Sequence, residues 1–276
     1  MRKQKKASEG QAPSWSSCQF VNVPPHLRPL LERLGRMADE QGLAAYAVGG
    51  CVRDWLLGIA GAVDVDVAIE GEGIAFARLA AHELGASLTP HQQFGTATLE
   101  LPSEESPQPR GRAGTRTRRS PSKTMRIDVA SCRKEVYPQP AAYPKVAPGT
   151  LQDDLFRRDF TINAMAMALA PQAFGTLVDP FGGLRDLKAR RLRILHPKSF
   201  LDDPSRILRA ARLVQRYDLS LESHTAQSLR QAAAAGVLAF LNRGRLRKEL
   251  DRMAEEPRPL ACLARLNQWL HVGSRL

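Results

Sequence analysis

Seven residues, VDVDVAI at 63–69, alternate in a way that constrains the fold more than any other stretch. Val63, Val65, Val67 and Ile69 fall on one side, Asp64 and Asp66 on the other. A period of two is the signature of a strand with one buried face, so the chain must supply a sheet and a layer to cover it. Residues i and i+2 of a strand point the same way, with Cα atoms roughly 6.5–7 Å apart. Two carboxylates so placed repel unless a cation sits between them, and hard oxygen ligands suit Mg²⁺. A solvated face carrying two ordinary acids satisfies the same pattern.

The flanking sequence predicts what surrounds this strand. Leu27, Leu30, Leu31, Leu34, Met37 and Ala38 recur at helical spacing over 26–41, with Gly42 as the stop. AAYAV (44–48) reads as a buried strand entering the Gly49–Gly50 turn, CVRDWLLG as a short helix closed by Gly58, and 74–84 as a further helix. TATLEL (96–101) and MRIDVA (125–130) read as paired strands whose loop is enlarged by SEESPQPRGRAGTRTRRSPSKT (103–124). That insertion and the basic residues 1–6 have the composition of flexible segments. The expected organisation is a basic flexible tail (1–24), a small mixed α/β head (25–170) and a mostly helical part (171–276), with helices dominating from about residue 151.

Composition narrows the partner. In 276 residues, 40 Lys and Arg face 28 Asp and Glu, a net charge of +12 that favours a polyanion, nucleic acid first. No stretch approaches the ~18–20 apolar residues of a spanning helix, so no membrane role is expected. Cys18, Cys51, Cys132 and Cys262 form no CxxC, which indicates neither a disulfide framework nor a zinc knuckle and points to a reducing cytoplasm. Six histidines with no HxxxH pair, and no G-x-S-x-G turn, leave covalent and zinc-dependent hydrolysis without a sequence basis.

Two further segments carry chemistry. Glycines in VGGCVRD would let backbone N–H groups approach a phosphate, with Arg53 adding a charged fork. The same glycines could equally serve turn geometry alone, with Arg53 paired to Asp54. In DDPSRILRAARLVQRY, Asp202 or Asp203 is a natural N-cap and Pro204 fits the first helical position. At about 100° per residue, Ile207, Ala210, Ala211 and Val214 share one side, with Arg206, Arg209, Arg212 and Arg216 roughly opposite. A solvated charged face is the ordinary explanation of such a stripe.

GGCVRD, DVDVAIEG, IDVASCRKEVYP, DDLFRRDFTINAMAM, DPFGGLRDL and DDPSRILRAAR occur in this order. Together they resemble the head and neck of the bacterial tRNA nucleotidyltransferase and poly(A) polymerase family, within the polymerase-β-like nucleotidyltransferases. The resemblance covers about residues 42–235. It implies a nucleotidyltransferase head followed by an all-α neck and a partial body. It further implies two-metal phosphoryl transfer with Mg²⁺, in which a tRNA 3′-hydroxyl attacks the α-phosphate of CTP or ATP.

By that resemblance Asp64 and Asp66 would hold the metal, and Asp128 would be a further carboxylate able to reach it. The Gly49–Gly50 turn, Arg53 and Arg158 would contact the triphosphate. Asp203 and Arg206 would face the base, with Arg209 and Arg212 nearby. Cytosine and adenine both present an amino donor beside a ring-nitrogen acceptor, so a carboxylate and a guanidinium together favour C and A over U and G. The family usually has Glu–Asp where this chain has Asp202–Asp203, which leaves base preference open. In these relatives base choice also depends on a flexible segment near 133–146 and on the C-terminal body. The readings left standing are CCA-end synthesis or repair, in whole or in part, poly(A) addition, and a non-catalytic RNA-binding remnant.

Overall fold

The computed structural model describes residues 19–59, 64–101 and 125–271. Val63, Cys18, residues 1–6 and the insertion 103–124 lie outside these. The first elements are α1 (Arg28–Glu40), β1 (Ala44–Val48), α2 (Gly50–Leu56), β2 (Asp64–Glu70) and α3 (Gly73–Leu84). Next come β3 (Ser87–His91), β4 (Thr96–Leu101), β5 (Met125–Ser131), β6 (Arg133–Val136), β7 (Lys145–Pro148) and α4 (Leu151–Phe156). Then β8 (Ala166–Ala168), β9 (Leu177–Val178), α5 (Gly183–Lys188), β10 (Arg191–Leu192), α6 (Ser199–Asp202) and α7 (Ser205–Tyr217) follow. The chain continues through β11 (Ser220–Leu221), α8 (Ser223–Ala234), α9 (Arg243–Ala254) and α10 (Pro259–His271).

Seven strands form one mixed sheet in the order β3-β4-β5-β2-β1-β8-β9, and only β2 and β5 run parallel. The predicted alternation decides its two faces. Val65, Val67 and Ile69 of β2, with Leu99 of β4 and Ile127 and Val129 of β5, turn into a core closed by Leu31 and Leu34 of α1 and Phe76 of α3. On the other face, Ala68, Leu155 and Ala166 build a second cluster under α4. That cover stops short of Asp64 and Asp66, which stay accessible at the start of β2.

The sheet also departs from expectation. β8 and β9 return to it from beyond residue 151, and β9 lies past the boundary expected at 170. Both are too short to show a period; β8 becomes a strand because β1 offers it an open edge. β3 holds Pro90, which costs no ladder bond on an edge strand. Residues 19–24 are not a free tail: Val21 and Val23 are buried, Phe20 bridges Thr176, and the Val21 N–H donates to Gly175 O at 2.8 Å. Residues 133–148 form the β6–β7 hairpin, whose turn is held by Ala141 N–H on Leu201 O at 3.1 Å.

Candidate functional site

β1 delivers the chain into the Gly49 turn. Gly49 has φ +81, and a Cβ there would stand 2.5 Å from Arg158 Nη1, so both backbone and packing demand glycine. Its amide is committed to Met165 O at 3.0 Å. Gly50 opens onto the Arg53 guanidinium, with Nη2 3.5 Å from where a Cβ would lie. Arg53 itself is buried, donating through Nε to Asp54 Oδ1 (3.0 Å), through Nη1 to Asn163 Oδ1 and through Nη2 to the Tyr217 hydroxyl (2.6 Å).

The parallel pairing of β2 with β5 brings the acids together. Asp66 stands in register with Asp128, and Asp64 with Arg126. Asp128 Oδ1 accepts from Thr98 Oγ1 (2.6 Å) and from Arg126 Nη2 (3.1 Å). Asp66 has protein on most sides although solvent reaches it. That desolvation raises its carboxyl above the usual carboxylate range; Arg158 opposes the rise, while Asp128 and Asp64 add to it. Arg158 is anchored by Nη2 to the buried Asp154 at 3.0 Å, and its buried Nε has no hydrogen-bond partner. Burial beside Asp66 pushes the Cys51 thiol up to about 12, so this cysteine is an inert packing residue.

α7 forms the opposite wall. Its packed face is as expected, with Ile207, Ala210 and Ala211 fully buried. Apart from the exposed Arg216, however, the arginine stripe is not a solvated face. Arg206 is 3% exposed, donating to Ser199 Oγ (2.6 Å) and Arg157 O (2.7 Å). Arg209 bridges Asp159 and Glu249, and Arg212 bridges Glu249 and Glu256. These partners lie 37 to 50 residues away in sequence, beyond the reach of helical periodicity. The helix begins at Ser205, one residue after Pro204, and the Asp203 carboxylate accepts the Ser205 N–H (3.0 Å) and pairs with Arg245 (2.6 Å).

A cleft of about 1180 Å³ lies between these walls, and it exceeds the span of ordinary small-ligand pockets. Gly50, Arg53, Asp66, Asp128, Arg158, Asp203, Arg206, Arg209 and Arg212 all line it. Gly49 and Asp64 stand just outside its lining. Asn163, Asp159, Tyr217, Arg245 and Glu249 were not singled out from sequence. For Tyr217 a signal existed: eleven residues at 100° each put it within about 20° of Arg206 on the same helical face.

A family model described as the poly A polymerase head domain matches residues 45–193, more than half of the chain. The chain belongs to the poly A polymerase head domain family. Within its range of relatives, this poly A polymerase head domain protein is 40% identical over 246 residues to an A-adding tRNA nucleotidyltransferase of Geobacter sulfurreducens, covering 89% of this chain and 26% of the relative. It is 38% identical to an A-adding tRNA nucleotidyltransferase of Halalkalibacterium halodurans, covering 98% of this chain and 60% of the relative. The apo form II structure of a CCA-adding enzyme superposes with TM-score 0.77 at 40% identity, covering 90% of this chain and 54% of that one. The chain thus spans a quarter to three-fifths of the length of these relatives.

Among the described residues no three His, Cys, Asp or Glu side chains form a ready metal cage. The donor chemistry nevertheless fits a divalent metal of the kind this family uses. A hard cation that keeps its waters needs only one or two carboxylates plus substrate phosphates. Burial, Asp128 and Asp64 disfavour the charge on Asp66 more than Arg158 and Arg126 favour it, a strain that a cation would relieve. Among the described residues no helix is long and apolar enough to cross a membrane.

Proposed function

We propose that this chain transfers a nucleotide from CTP or ATP to the 3′ end of tRNA, in a cytoplasmic setting. The observation that carries the reading is a single cleft with Asp66 and Asp128 in register at its base and Asp203 and Arg206 on its wall. In this reading Asp64 and Asp66 hold Mg²⁺, with Asp128 beside them. When bound, Mg²⁺ supplies Lewis-acid stabilisation of the charge on the phosphate oxygens and eases ionisation of the attacking hydroxyl.

The chain's own groups do the rest. Arg158, fixed by Asp154 beside the Gly49 turn, and Arg53 face the triphosphate. Asp128 Oδ2 is not used by Thr98 or Arg126, which supports a role in accepting the hydrogen of the RNA 3′-hydroxyl. The 3′-oxygen bonds to the α-phosphorus, the bond to the β-phosphate oxygen breaks, and pyrophosphate leaves. Asp203 accepts from the base amino group while Arg206 donates to the ring nitrogen, a pairing open to cytosine and adenine and closed to uracil and guanine. A mismatch there strands a buried polar group at a cost of about 1–3 kcal/mol.

The two tRNA nucleotidyltransferases of Geobacter sulfurreducens and Halalkalibacterium halodurans are named as A-adding and the superposed structure as a CCA-adding enzyme, all of which add adenosine. Incubation with labelled ATP or CTP, Mg²⁺ and tRNA ending before the final A should give one adenosine per tRNA and no cytidine. A run of adenosines would identify poly(A) addition, and cytidine on shorter tRNAs a CC- or CCA-adding activity. No incorporation together with retained tRNA binding would leave the RNA-binding remnant as the answer.

A further inference from the structure

Arg53 is gripped from two parts of the fold at once. Its Nε donates to Asp54 on its own helix, and its Nη1 to Asn163 near the end of the RRDFTINA stretch. Its Nη2 reaches the Tyr217 hydroxyl at 2.6 Å, on the last residue of α7. The guanidinium carbon also stands 4.4 Å from the centre of the Tyr217 ring. That hydroxyl accepts from Arg53 and in turn donates to Asp54 Oδ1 at 2.8 Å, so the three side chains close into a ring of contacts. Burial pushes the Tyr217 hydroxyl up to about 12, so it stays protonated and the donor is permanent near neutral pH.

The same helix reaches Arg53 by a second route. Arg209, midway along α7, donates to Asp159 Oδ2 (3.0 Å); Asp159 Oδ1 accepts from Asn163 Nδ2 (3.0 Å); and Asn163 Oδ1 accepts from Arg53. At its N-terminal end α7 carries Arg206, preceded by Asp203. Arg206 and Tyr217 are eleven residues apart, ~16 Å along one rigid rod. On the reading above, one end of the rod meets the base, and the other holds the cation that lies over Gly50.

We infer that Tyr217 is a positioning residue that fixes the Arg53 guanidinium beside Gly50, so that the hold on the triphosphate depends on where the base-reading helix sits. The inference rests on the nucleotidyl-transfer reading above. A base that pairs with Asp203 and Arg206 seats α7 and with it Arg53; a mispaired base displaces the helix and draws the guanidinium off the phosphates. Base choice would then be expressed as phosphate alignment, a selectivity gain with no added contact to the base.

The test uses the full chain as wild type, Tyr217→Phe, Arg53→Lys and the double variant. It reads the KM for ATP and the inhibition constants of inorganic tripolyphosphate, which has phosphates and no base, and of adenosine, which has the base and no phosphates. Tyr217→Phe should weaken tripolyphosphate and raise the KM for ATP by about three- to tenfold, the loss of one hydrogen bond. It should leave adenosine inhibition unchanged and add nothing in the Arg53→Lys background. Tripolyphosphate inhibition within about twofold of wild type, equal weakening of adenosine, or the same factor in the Arg53→Lys background would each overturn the role. Asp54→Asn loosens the same ring of contacts from its other side and carries the same expectations, which keeps the test decisive if Tyr217→Phe does not fold. A wild-type protein that transfers no nucleotide counts against the proposed reaction instead, and calorimetric binding of tripolyphosphate then decides the role of Tyr217 on its own.

Discussion

Asp66 shows how a site residue can be bad for the fold and good for the chemistry. Burial, Asp128 and Asp64 all disfavour its charge, and Arg158 and Arg126 only partly offset them. Asp66→Asn should therefore raise Tm in calorimetry while cutting nucleotide transfer by about 10²–10³-fold, the trade expected where a site is held against its own stability. Gly49→Ala should act in the opposite sense. The added Cβ meets φ +81 with ψ −130 and lies 2.5 Å from Arg158 Nη1, so it should cost about 1–3 kcal/mol in denaturant unfolding and disturb Arg158 as well. The need for glycine at this turn is readable in GGCVRD; the arginine that presses on it arrives from 109 positions later and is not.

At the scale of elements, α7 is held by its charged face as well as its apolar one. Glu249 of α9 is buried and accepts from Arg209, Arg212 and Arg252. Glu249→Ala leaves these cations without their shared partner and should cost about 2–3 kcal/mol, at the lower edge for a buried ion pair because Arg209 and Arg252 keep some water. Chemical denaturation measures it. The next helix, α8, is capped by Glu222, whose carboxylate accepts the Thr225 N–H at 3.1 Å. Burial opposes its ionisation, but backbone N–H groups of Thr225 and His224 and the Ser223 hydroxyl hold its carboxyl down to about 2, from 4.5. A depressed carboxylate lends stability above its unfolded value, and that stability drains away as pH falls from 4.5 towards 2. Glu222→Gln should lower Tm at neutral pH and flatten its dependence on pH across that window.

At the scale of the molecule, the +12 charge divides into arginines with structural partners around the cleft and charge in 1–6 and 103–124, outside the described residues. RNA binding should still fall steeply with added salt, linearly on a log–log plot with a slope of roughly −0.7 per phosphate neutralised on a single strand. A flat profile in a filter-binding titration would count against phosphate-dominated contact. The strand at 64–70, the helices at 28–40 and 73–84, and the packed side of α7 were all legible because each obeys a local period of 2 or 3.6. The two acids of β2 were legible for the same reason, since a strand's alternation alone puts Asp64 and Asp66 on one side. β3, β8 and β9 were not, being short or broken by Pro90 and made into strands by the edges they meet. Nor could any local period place Asp128 opposite Asp66, pair the α7 arginines with Glu249 and Glu256, or set Tyr217 on Arg53. Periodicity fixes which side of an element is apolar; which partner meets its polar side depends on register and packing between segments far apart in the chain, and those exist only once the whole chain has folded.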